Sequence, residues 1–227
     1  MRILITRPEP DASIDAEHYR AEGHSVTVLP LLNIVSSTSS SSLLPAGEVS
    51  LLSSYIFISK NAVRYLPTSL REKIKQVFAV GPSTAQLLQA QGFQNILAPS
   101  THEGSEALLA LSELQNIKGQ SFVIVRGTKG RELLADTLCA RGASVHYLPV
   151  YTVDPVELTP AQLIQLRQPY DRIIITSMST LKCALALGIS KQAELLVLSR
   201  KMAEVAKHLG WRARCEQKAI HALHEID

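Results

Sequence analysis

The sequence holds no dinucleotide-binding GxGxxG, no Walker loop, no GxSxG elbow and no HExxH helix, so nucleotide-dependent, serine-hydrolase and zincin chemistry lose their usual footholds. Arg126-Gly127-Thr128-Lys129-Gly130 looks like a phosphate loop but lacks the Walker spacing. Cysteine is scarce, with 3 residues and no CxxC or Cys/His metal spacing. Cys139 and Cys183 sit in apolar helical patterns and read as small buried hydrophobes, and the odd count suits a reducing compartment. The 7 histidines are dispersed, and neither His102 nor His146 has a spaced partner, so no metal is expected. Glu9 and Asp11 read as first-turn helix residues and Asp171 as a strand flank, which disfavours a paired-carboxylate mechanism.

Long apolar runs are missing too. No stretch approaches the ~18–20 consecutive apolar residues of a membrane helix, and Ile3-Leu4-Ile5 is too short a run for a signal peptide. Basic residues are scattered with no run of five, so a net charge of +3 and a pI near 8.8 do not make a nucleic-acid face. The diffuse positive balance fits a small acidic substrate better than a neutral one. The expectation is a soluble, cytoplasmic monomer without nucleic-acid or membrane partners.

What the chain does have is an internal repeat. Gly23, Ser25, Leu29 and Pro30 recur 119 positions later, as Gly142, Ser144, Leu148 and Pro149. Ser59 and Ser177 lie 118 apart, as do the pairs Gly92-Phe93 and Gly210-Trp211. Three units therefore occur twice, in the order A, B, C, A′, B′, C′. In each, a short apolar run reads as a strand and a glycine-closed stretch as a helix. The expected strands include 3–5, 25–29, 31–35, 55–58, 76–80, 95–98, 172–175 and 195–198, and helices are expected over 85–91 and 103–114. The Arg126-Gly127 pair is read as the turn after a strand beginning at Ser121. Residues 155–171 are read as a polar segment punctuated by Pro160 and Pro169.

Alternating strands and helices of this length imply an α/β fold with parallel sheets flanked by helices. At 227 residues with 46% hydrophobic content, two similar domains of about 100 residues each are expected. Low complexity is confined to Ser36–Ser42, which reads as a short flexible connector. Periodicity leaves two arrangements open. Either the units follow in tandem, or B, C and A′ form a domain inserted into one made of A, B′ and C′.

Ligands of open parallel sheets bind beyond the carboxyl ends of the strands, where exposed N–H groups at helix starts favour anions. The loops expected there hold Arg7, then Ser59-Lys60-Asn61, then Gly81, Ser83 and Thr84, then Arg126-Gly127, then Ser177 and Ser179, and finally Ser199-Arg200. Singly, each loop reads first as a helix cap. Six in symmetry-related positions point to a shared site for a ligand carrying many carboxylates. Tyr151 stands apart, because its counterpart in the first copy is the apolar Leu32. It is either a packing residue with a satisfied hydroxyl or a positioned weak acid. A binding or sensor protein with two lobes for a small polycarboxylate, and a bare structural role, stay open as other readings.

Six motifs in order, ILITRP, IFISKNAV, AVGPSTAQLLQAQG, GSEALL, VIVRGTKGRELLADTLCARGASV and VYTV, make the chain resemble uroporphyrinogen-III synthase along essentially its whole length. The resemblance implies two α/β domains joined by a two-stranded linker. That selects the inserted arrangement, with one domain of 1–35 plus 155–227, another of 40–150, and crossovers near 36–39 and 151–154. It implies cyclisation of hydroxymethylbilane with ring D inverted and water lost, without a cofactor. It also implies that Tyr151 assists hydroxyl departure, while Ser59, Thr84 and Ser177 hold carboxylates or pyrrole groups. Two positions depart from the family pattern. Ile58 precedes Ser59 where members commonly read phenylalanine-threonine-serine. Met202 stands where the second GxxTA motif carries a hydroxyl.

Overall fold

The computed structural model describes residues 1–37, 53–100, 104–130 and 132–216. The serine tract beyond Ser37, His102 and Glu103 lie outside the described residues. In chain order the elements are β1 (Arg2–Ile5), α1 (Asp11–Ala21), β2 (Ser25–Val28), β3 (Leu32–Ser36), β4 (Ser54–Phe57), α2 (Lys60–Arg64), α3 (Thr68–Arg71) and β5 (Gln76–Ala79). These are followed by α4 (Pro82–Ala90), β6 (Ile96–Leu97), α5 (Ser105–Leu109), β7 (Ser121–Gly127), α6 (Leu133–Ala140) and β8 (Ser144–Pro155). The last are α7 (Pro160–Leu166), β9 (Arg172–Ile175), α8 (Met178–Ala186), β10 (Glu194–Val197), α9 (Arg200–His208) and β11 (Arg212–Cys215).

The chain divides into two compact units, 1–34 with 154–227 and 35–153. It passes between them twice, within β3 and within β8. The first unit carries a five-stranded sheet in the order β11-β10-β9-β1-β2, with parallel pairing throughout. The second carries a six-stranded sheet in the order β3-β8-β7-β4-β5-β6, parallel from β8 to β6. The two sheets thus realise the α/β class with parallel sheets flanked by helices.

Both faces of the central strands, such as β1, β4, β7 and β9, are buried, which is why these read as continuous apolar runs rather than alternating ones. In β9, Ile173 and Ile175 pack with Leu181, Ala184 and Ala203 from α8 and α9. Ile174 points the other way, to Ala12, Ala16 and Tyr19 of α1. The period-2 geometry of a strand divides one isoleucine run between two helical layers. In the second unit Ile56, Phe78, Phe122 and Ile124 pack against Leu108 of α5 and Leu134 and Leu138 of α6.

Several boundaries differ from the sequence expectation. The supposed polar segment after Pro155 contains α7, started by a capping box. Thr159 Oγ1 accepts the Gln162 N–H while Gln162 accepts the Thr159 N–H, and Pro160 occupies the first turn, where its missing N–H costs nothing. Proline there opens the helix rather than breaking it. The same logic moves the start of α4 from Ala85 back to Pro82. The helix expected over 103–114 ends at Leu109. Leu111 is extended (φ −60°, ψ 141°), and a single 3-10 turn follows over Ser112–Leu114. β11 was not anticipated; it pairs β10 along its length and buries Ala213. Arg126 and Gly127 belong to the end of β7, because both still pair with β8. Cys139 is exposed near the end of α6 and Cys183 half-buried on α8, so neither is the fully buried residue that its apolar surroundings in sequence suggest.

Candidate functional site

The carboxyl edge of the second unit's sheet brings together residues far apart in sequence. β4 ends at Phe57, and two residues on Ser59 takes an extended backbone (φ −169°, ψ 163°) and caps α2, its Oγ accepting the Ala62 N–H at 3.1 Å. The same Oγ lies 3.2 Å from the phenol oxygen of Tyr151, which arrives from β8. Tyr151 is buried, and its ring tilts against Tyr65 with centroids 6.0 Å apart.

Tyr151 reaches this place through an irregularity in the ladder. Arg126 pairs with Pro149, but the next residue, Gly127, pairs with Tyr151, so Val150 is an extra residue on β8. The bulge sets the phenol opposite the one residue type that leaves it room. The Thr128 N–H donates to the Tyr151 carbonyl at 2.9 Å and holds the strand end in that register.

Arg126, one residue before Gly127 on β7, is 5% exposed. Nη1 is 3.2 Å from Glu132 Oε1, and the guanidinium carbon lies 4.5 Å from the Tyr147 ring centroid. Nε is buried without a hydrogen-bond partner. Arg126 and Tyr147 border a cavity of about 260 Å³, walled by Ile58, Val80, Ile124 and Leu134 and by the start of α5 at Gly104-Ser105. Tyr147 donates to Glu132 Oε2. Burial, and then this hydrogen bond, push the Tyr147 phenol up to about 12. The same bond, with help from Arg126, holds the Glu132 carboxyl below the usual carboxylate range. Tyr147 and Glu132 were not singled out from the sequence. They are 15 residues apart and meet only because β8 returns beside the start of α6.

The other expected residues of this unit lie along the same edge. Lys60 and Asn61 form the first turn of α2, and Asn61 Oδ1 accepts from Arg64 at 3.2 Å. Gly81 is the fully extended residue before α4, Ser83 is partly buried, and Thr84 is 2% exposed in the first turn. Ile58, where the family pattern carries a hydroxyl, forms part of the cavity wall.

In the first unit the corresponding edge is built from caps. Ser177 accepts the Thr180 N–H at 3.0 Å and shares a 2.8 Å hydroxyl bond with Thr180. Ser199 accepts the Met202 N–H at 3.2 Å, while the Met202 side chain is buried in the core. Ser179 and Arg200 are exposed in the first turns of α8 and α9. Arg7 is committed elsewhere: its two terminal nitrogens lie 2.7 Å from Asp15 Oδ2 and 2.8 Å from Asp11 Oδ2. Its charge is thereby largely neutralised within the unit. No group of three or more His, Cys, Asp or Glu able to hold a metal ion occurs among the described residues, and no described helix is long and apolar enough to cross a membrane.

Comparison with known proteins gives these features a family. Residues 15–223 match the family model described as uroporphyrinogen-III synthase HemD. The uroporphyrinogen-III synthases of Escherichia coli (strain K12) and Salmonella typhimurium are each 32% identical, covering 93% of this chain and 93% of their own. That of Proteus mirabilis is 36% identical over 66% of this chain and 79% of its own. Among solved structures, the synthase of Helicobacter pylori superposes with a TM-score of 0.64 at 18% identity, covering 98% of each chain. A mutant synthase from the extremely thermophilic bacterium Thermus thermophilus gives 0.63 at 15% identity, with 98% and 95% covered. At those identities the structures speak for the fold alone.

Proposed function

We propose a function from one premise: this chain belongs to the uroporphyrinogen-III synthase family. The reaction is the closure of linear hydroxymethylbilane to uroporphyrinogen III, with ring D inverted and water lost, a lyase step in haem biosynthesis. The observation that carries this reading is likeness to two synthases along nearly the whole chain rather than at one motif.

The residues of the site fit the chemistry. The terminal hydroxyl of the substrate leaves as the adjacent pyrrole nitrogen pushes electrons towards the departing C–O bond, so a weak acid suffices. Tyr151 is the proposed acid. Its rival, Tyr147, has its proton tied to Glu132 and a phenol pushed up to about 12, which makes it the poorer donor. The larger task is positioning: ring D must attack through its substituted carbon to give a spiro intermediate before the final ring closes. For the carboxylates we assign Lys60, Asn61, Gly81, Ser83, Thr84, Arg126 and Gly127 in one unit. Ser177, Ser179, Ser199 and Arg200 are assigned in the other, where Arg7 is instead held by Asp11 and Asp15. Backbone N–H groups at helix starts and the cations beside them supply the attraction.

The protein is proposed to work as a cytoplasmic monomer on this small molecule, without nucleic-acid or membrane partners. Purified protein given freshly prepared hydroxymethylbilane should yield the type III isomer. Formation of the type I isomer alone, which arises spontaneously, would overturn the reading.

A further inference from the structure

We infer that Ser59 is a positioning residue that acts through Tyr151, turning the phenol into a one-way donor towards the substrate's departing hydroxyl. The inference rests on the proposed synthase reaction and on Tyr151 as its acid.

Protons and lone pairs at the two hydroxyls can be counted. A serine hydroxyl has one proton and two acceptor sites. One acceptor site of Ser59 Oγ is taken by the Ala62 N–H at 3.1 Å. The contact with Tyr151 Oη at 3.2 Å can run in either direction. The phenol also has a single proton. If Tyr151 donated to Ser59, it would have nothing to give the leaving group. A productive Tyr151 must therefore accept from Ser59 and point its own O–H away.

The surroundings favour that polarity. The cap bond from Ala62 draws electron density from Ser59 Oγ, making its remaining proton the better one to donate. The backbone of Ser59 is held by the first turn of α2, where the Val63 N–H donates to the Ser59 carbonyl at 3.4 Å. On the other side, Tyr65 and the bare face of Gly127 confine the ring. The hydroxyl of Ser59 is thus fixed at one end by a helix and at the other by the acid it orients.

In the proposed step the substrate's C–O bond breaks with both electrons going to oxygen, and Tyr151 Oη–H passes its proton to that oxygen to form water. The phenolate left behind accepts the Ser59 Oγ–H bond. The proton lost when the last pyrrole regains aromaticity restores the phenol.

The test is a double-mutant cycle read on formation of the type III isomer, with wild type measured first. Wild type that makes no type III isomer overturns the synthase reading itself. If wild type does make it, Ser59→Ala should lower kcat about five- to tenfold with KM nearly unchanged, the size expected for one neutral hydrogen bond. Ser59→Thr, which keeps a hydroxyl, should recover most of the loss. Ser59→Asp caps α2 as well as serine does but has no proton to donate, so it should fold normally and lose at least as much kcat. In a Tyr151→Phe background, Ser59→Ala should cause no further loss. An equal loss in both backgrounds, or an effect confined to KM, overturns the inference and returns Ser59 to the carboxylate-binding rim.

Discussion

The Tyr151 ring occupies the space that a side chain at residue 127 would need: a Cβ built on Gly127 would stand 2.8 Å from Cε2 of Tyr151 and 3.0 Å from its Cζ. Real carbon contacts do not close to that distance, so ring and methyl cannot both be accommodated without a shift. The glycine is required by close approach.

Gly127→Ala should therefore displace Tyr151 rather than unfold β7. Turnover should fall about tenfold or more, since misplacement by an ångström can cost up to ~100-fold. Circular dichroism should stay as in wild type, and the change should add little in a Tyr151→Phe background. Full activity in Gly127→Ala would show that the ring position is immaterial.

Tyr151→Phe keeps the ring packing against Tyr65 and removes only the hydroxyl. Turnover should fall about 10- to 100-fold, at or below the lower end for a general acid because the leaving group needs little help. Stability should change by no more than about 1 kcal/mol. Unchanged turnover would reduce Tyr151 to a packing residue.

Arg7 offers a test of structure against binding. Asp15 is 3% exposed, and Arg7 supplies the counter-charge to both Asp15 and Asp11. Replacing Asp15 by Ala should cost about 2 kcal/mol in urea unfolding, because Arg7 loses its buried charged hydrogen-bond partner and keeps only Asp11. Asp11→Ala, at the rim of the same cluster, should cost less. If Arg7→Ala instead leaves stability untouched and raises only KM, Arg7 is a binding residue first.

Glu132 and Tyr147 titrate as a pair with opposite shifts. The Tyr147 phenol is raised to about 12, so its interaction stabilises the fold fully below pH ~10 and is lost as pH climbs through about 12. The Glu132 carboxyl is lowered, so its share is present above pH ~4.3 and is lost on acidification through its folded value. Glu132→Gln should bring Tyr147 down towards the ordinary tyrosine range in an absorbance titration. Burial, the larger cause, should leave part of the shift in place.

The start of α7 gives a local check on the fold. Thr159→Ala removes one half of the capping box and should lower the unfolding free energy by about 1 kcal/mol. Thr159→Ser should restore it.

The layers are legible in the order of the amino acids. Apolar runs such as Ile3–Ile5 and Ile173–Ile175 are too short for helices and too uniformly apolar for exposed strands. Gly23, Gly92, Gly142 and Gly210 close helices with positive φ. The repeat offset and the hydroxyl residues at helix starts were equally legible, since local periodicity and capping chemistry need no tertiary context. Harder to read were places where one residue type has two meanings. Pro160 opens a helix where it suggested a break, and Arg126-Gly127 continues a strand where it suggested a turn.

What the hydroxyls and charges face depends on how distant strands pair. Nothing near Ser59 announces Tyr151, 92 residues away, and one extra residue in β8 chooses which side chain meets Gly127. Arg7 and Arg126 look alike as loop cations, yet one is closed off by two aspartates and the other keeps a buried Nε without a partner. Pairings across sheet strands depend on register, and a register shift of one residue moves a side chain to the other face. That is why the edge of the sheet could be named from the sequence, while the chemistry along it had to wait for the fold.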